Sequence, residues 1–186
     1  ITVAKGYKFD IHQLLKKYPN PDMAVKYASH LFGKITSEGN IATKKQDLMD
    51  LKHLFSQFSS NKIAIFYGMS LASMISQELN PTILRQHKLE LKNLLDQYSV
   101  EDFASIYGMG LTNIIQNISD INEERRIVSE LGDLMDQYPC KDLVERYAKS
   151  LTYMIAEDSD VASKRKYLSE LKNTLDRNPY QFIAVE

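Results

Sequence analysis

The chain has 186 residues, 44% of them hydrophobic and 25% charged, with a formal net charge of −1. That length can bury a sizeable core, while near-neutrality supplies no global field for nucleic acid or a membrane surface. A single cysteine, Cys140, excludes a disulfide framework and points to a reducing compartment, the cytoplasm.

No apolar run approaches the roughly 20 residues that span a bilayer. The opening "ITVAKGYKFD" lacks the apolar core of a signal peptide. It also lacks an initiator Met, so a piece of a longer protein is expected.

In chain order, the first element carries Asp10 and Ile11 and ends at Tyr18, where "YPNP" (18–21) breaks it. A second helix follows with Tyr27, Ala28, Leu31 and Ile35 on one face. Asn40 has the side chain to cap the next helix, which runs to "FSSN" at 58–61 and gives way to "IAIFYGMSLASMI" at 63–75. Asn80 and Pro81 open another, since Pro in a first turn loses no hydrogen bond. Leu84, Leu91, Leu94, Leu95 and Tyr98 lie along it at helical spacing. "YSVE" (98–101) leads into "FASIYGMGLTNII" (103–115). Asp120, the break "YPCK" (138–141) and Tyr147 repeat the pattern, and Asp160 opens a last helix. "NPYQFIAVE" then begins a further second helix with Tyr180, Phe182 and Ile183. Nothing alternates with the period of a strand.

These elements recur every 40 residues without a gap. Tyr27, Tyr67, Tyr107 and Tyr147 keep the interval, as do Leu31, Leu71, Leu111 and Leu151 and the series Ile35, Ile75, Ile115 and Ile155. An acidic ladder runs Asp10, Asp50, Glu90, Glu130, Glu170, and a basic one Lys5, Lys45, Arg85, Arg125, Arg165. The units are 1–40, 41–80, 81–120 and 121–160, with a partial 161–186, all in one helical-repeat domain. After each tyrosine stands a small residue, Ala28, Gly68, Gly108 or Ala148. Gly costs about 1 kcal/mol of helix propensity against Ala, so its presence predicts close approach of a neighbouring helix.

The expected fold is all-α: a right-handed α-solenoid of antiparallel helical hairpins, four full repeats plus a half. Ala-x-x-Tyr-(Ala/Gly)-x-x-Leu in the second helix, and Leu-x-x-Leu before an aromatic-Pro/Ser break in the first, resemble the tetratricopeptide-like and HEAT-like families at the level of architecture. The period is longer than a tetratricopeptide unit, and the chain has no Trp. The resemblance implies a scaffold that binds protein or peptide partners without catalysis.

No constellation argues for an enzyme, a cofactor or a metal. His12, His30, His53 and His87 lack the paired spacing of a ligand set, and Cys140 stands at one helix start without a base. Five near-copies of one acidic position do not create the special environment that separates two catalytic pKa values. The ladders therefore predict solvated faces or ion pairs between repeats. A rival reading takes Lys45/Lys52, Arg85/Lys92 and Arg165/Lys172 as a stripe along a nucleic-acid backbone. Gly132 interrupts that stripe, acids share its helices, and no aromatics interleave for stacking.

The second helices differ from repeat to repeat at the positions flanking the tyrosine. Lys26 and Ser29 in the first repeat and Arg146 and Lys149 in the fourth are polar. Ile65, Phe66 and Met69, then Ile106 and Met109, are large and apolar in the middle two. Met-rich apolar surfaces suit adaptable peptide binding. The expected site is thus Ile65, Phe66, Met69, Ile106 and Met109 flanked by Lys26, Arg146 and Lys149, and the alternative is that the apolar set is buried between repeats. The unfinished fifth unit offers no polar cap, so self-association through that end is a further expectation.

Overall fold

The computed structural model describes residues 15, 17–37 and 39–178. Among them are eight α-helices and no strand: α1 Pro21–Ser37, α2 Ile41–Phe58, α3 Asn61–Ile75, α4 Pro81–Tyr98, α5 Glu101–Ile115, α6 Ile121–Gln137, α7 Lys141–Glu157 and α8 Val161–Arg177. This is an all-α solenoid of helical hairpins. Lys5, Asp10, Ile11, His12, Tyr180, Phe182, Ile183 and the C-terminal end expected to self-associate lie outside the described residues.

Local chemistry explains where the helices start. Asn40 Oδ1 accepts from the backbone N–H groups of Ala42 and Thr43, and Asn80 Oδ1 from Thr82. Asp120 Oδ1 accepts from Asn122 and Glu123, and Asp160 from Ala162 and Ser163. Each satisfies donors the helix cannot. At two of the breaks Ser59 (φ 39°) and Ser99 (φ 47°) turn left-handed, their N–H groups closing onto Phe55 and Leu95 carbonyls. That conformation ends the helix by the same device a glycine would provide.

The chain divides into two compact units, with the boundary inside α3 between Tyr67 and Gly68. In the first unit α1 packs on α2. Ala24, Ala28, Leu31 and Ile35 form the buried stripe of α1, against Leu48, Leu51 and Leu54 of α2. Phe55 stacks on Tyr67 at 5.8 Å, and Phe32 meets Phe66 at 5.7 Å. Lys34 Nζ donates to both oxygens of Asp47, at 2.9 and 2.8 Å, so the buried carboxylate is charge-paired.

In the second unit α4 packs on α5, α6 on both α5 and α7, and α8 on α7, while α5 and α7 also touch directly. Second helices thus contact each other as well as their hairpin mates. The small residues make this possible. A Cβ on Gly68 would lie 3.2 Å from Ile106 Cγ2, and one on Gly108 would collide with Leu143. Gly110 is equally tight between Leu91 and Ile75. Asn113 and Asn117 secure the same interface, donating to the carbonyls of Ala72 and Ile75 at 2.8 Å.

Candidate functional site

The repeated polar columns form bonds between repeats. Tyr107 Oη donates to Glu130, and Tyr147 Oη donates to Glu170 at 3.0 Å; both links span 23 positions. Glu130 and Glu170 of the acidic ladder are therefore acceptors for the tyrosines of the preceding repeat. Glu130 also takes Lys88 Nζ at 2.6 Å. Burial, followed by the hydrogen bond and charge of Glu130, pushes the Tyr107 phenol well above its ordinary value. Burial and the Glu170 charge do the same to Tyr147.

The basic ladder is not uniform. Arg125 grips Asp158 through two hydrogen bonds, Nε to Oδ2 at 3.0 Å and Nη2 to Oδ1 at 2.9 Å, and Asp158 is 1% exposed. Lys92 Nζ lies 5.5 Å from the Tyr107 ring centroid, within cation–π range. One repeat on, Gly132 stands where Lys92 stood, and a Cβ there would meet the Tyr147 ring at 3.0–3.2 Å. The interruption of the stripe is a seat for that ring. Next to it, Tyr167 and Glu170 help line a cleft of about 430 Å³.

The expected partner-binding residues fall in both units. In the first, Lys26 is exposed and Ile65 and Phe66 are half-buried, Phe66 by its ring contact with Phe32. In the second, Met69 and Met109 are half-exposed, and Lys149 is exposed. Ile106 is different: at 8% exposure and packed on Gly68, it belongs to the contact between second helices. Arg146 is partly spent at home, donating from Nε to Asp142 at 2.9 Å. Asp142 also accepts from Ser105 of the preceding repeat. Burial alone would raise the Asp142 carboxyl, but the Arg146 and Ser105 hydrogen bonds outweigh it and hold it below the ordinary value. Among the described residues no cluster of three or more His, Cys, Asp or Glu side chains could hold a metal ion, and no helix is long and apolar enough to cross a membrane.

Sequence reasoning passed over a third column. Positions 38, 78, 118 and 158 read Glu38, Glu78, Ile118 and Asp158. Asp158 is the partner of Arg125, and both Glu78 and Asp158 accept from the backbone N–H two residues on, at 3.0 and 2.8 Å. The acid at this place caps the inter-repeat turn. Ile118 cannot, and the 40-residue interval itself would have flagged the exception.

No protein-family model matches the chain, and no curated protein matches its sequence.

Proposed function

We propose that the protein is a non-catalytic helical-repeat scaffold of the tetratricopeptide-like or HEAT-like kind, acting in the cytoplasm, that binds a protein or peptide partner through its second-helix face. The observation that carries the reading is the half-exposed state of Met69 and Met109 on successive second helices of one unit, with Lys149 exposed on the helix after them. Flexible thioether side chains adapt to an apolar partner surface, and the lysine adds a charge that orients it. In the first unit Ile65 and Phe66, with exposed Lys26, offer the same chemistry on a smaller scale.

The test introduces Met69→Glu and Met109→Glu together and compares partner recovery from lysate, with a photo-crosslinker at Thr112 reporting contact. The expected result is loss of the crosslinked partner with helicity and melting temperature preserved. Unfolding of the double variant would make both methionines part of the core and remove the face from consideration.

A further inference from the structure

The exception at Ile118 changes the character of one cleft in the second unit. Around Arg125 the cleft of about 370 Å³ is lined by Ser119, Glu124, Glu157, Asp158 and Ser159, and the arginine is filled by Asp158. Its counterpart 40 residues earlier, about 390 Å³, replaces these with Leu79, Leu84, Asn117, Ile118 and Ser119 around Arg85. Four of these five positions differ, each losing a charge or a hydroxyl, and three of the four become aliphatic, while serine stands at the fifth in both. Leu79 stands 82% exposed on the lip, where the other repeats have Gly39, Ser119 and Ser159.

Arg85 has lost its carboxylate. Among the described residues it makes no hydrogen bond and no ion pair, whereas the charges beside it are engaged. Lys88 is held by Glu130, Arg126 by Glu123, and Asp120 accepts from the first backbone N–H groups of α6. The cleft therefore combines an aliphatic floor, completed by Ile114 and Ile127, with one unpaired guanidinium at its mouth. One repeat on, the chain's own Asp158 shows how a carboxylate sits on an arginine in this register, through two parallel hydrogen bonds.

We infer that this cleft binds a peptide segment in which an aliphatic side chain adjoins a carboxylate, the first on Leu84, Ile118 and Ile127 and the second on Arg85. The inference rests on the peptide-binding reading above but places the contact on the first-helix side. A guanidinium–carboxylate pair beside apolar surface is partly screened from water, which strengthens it relative to a fully exposed pair.

The experiment is an NMR titration of the whole, isotope-labelled chain with a blocked tetrapeptide of sequence Ser-Leu-Glu-Ser at up to about 5 mM, the range suited to so small a ligand. Its Gln-for-Glu and Ala-for-Leu counterparts are the controls. Saturable shifts of the Ile118 and Ile127 methyls are expected, with affinity falling about tenfold for either control and for Arg85→Gln, an exposed position. Ile118→Asp, which restores the acid of the other repeats, is expected to fill Arg85 internally and abolish binding. Its melting curve checks that it folds, and Arg85→Gln carries the test if it does not. Absence of shifts at Ile118 and Ile127, or equal affinity for the Gln counterpart, overturns the inference. Shifts confined to Met69 and Met109 would overturn it while leaving the second-helix reading in place.

Discussion

Gly108 and Gly33 occupy similar helical backbone and have opposite reasons to be glycine. At Gly33 nothing lies within 4 Å of where a Cβ would stand, so Gly33→Ala is expected to stabilise by about 0.5–1 kcal/mol through helix propensity alone. At Gly108 a Cβ would strike Leu143 of the next second helix and lie 3.4 Å from Leu131. Overpacking of that kind costs about 1–3 kcal/mol, which outweighs the propensity gain, so Gly108→Ala should destabilise. Chemical denaturation of the two variants checks both signs. The requirement for a small residue after each tyrosine was legible from the alternation of Ala and Gly. Which of the glycines is tight was not, because periodicity identifies a face and says nothing about how closely another helix covers it. Ile106 illustrates the same gap: its place beside Met109 in the sequence suggested an accessible pair, and burial separates them.

At the scale of the helix, the starts were the most legible feature, since capping depends on a side chain and backbone groups two or three residues away. All four capping residues read from the sequence make the expected bonds. Asp120→Ala is expected to cost about 1 kcal/mol, in the ordinary range for losing a cap, measurable as a shift of the urea midpoint. Because Asp120 caps α6 on the rim of the Arg85 cleft, the variant should leave the helix content of the other elements unchanged. The side-chain bonds between helices were less legible. Arg125 and Asp158 are 33 positions apart, and Tyr107 and Glu130 are 23 apart. Neither interval is visible in a ladder of single residues at a period of 40; each requires two ladders to be read against one another with the helices already packed. The acidic column was expected to be solvent-facing or ion-paired between repeats, and Glu130 does pair with Lys88 of the preceding repeat. Glu130 and Glu170 each also accept from a tyrosine, a bond the ladder alone did not suggest.

At the scale of the whole molecule, the hairpin array follows from the interval, and the absence of any insertion made that interval easy to see. The tyrosine bonds also give the array a pH limit. Tyr107 and Tyr147 are both raised by burial and by an acceptor carboxylate, so the folded state holds their protons more tightly than the unfolded chain. Their contribution is fully present below the unfolded value, near 10.0, and is lost as pH rises above it toward the folded values. The melting temperature should therefore fall beyond pH 10.0, with tyrosinate absorbance growing in as a step coincident with loss of helicity. Tyr107→Phe with Tyr147→Phe should flatten the pH dependence. A gradual tyrosinate titration with helicity intact would show that the two phenols ionise without unfolding the array.

The bond from Tyr107 to Glu130 also sets an order in time. A polypeptide is made from its N-terminus, so the hydroxyl of Tyr107 has only water in place of its carboxylate acceptor until 23 further residues have been added and the helix carrying Glu130 has formed. The hydroxyl of Tyr147 waits in the same way for Glu170. During synthesis each of these hairpins emerges with one buried position unfinished and is completed by the first helix of its successor.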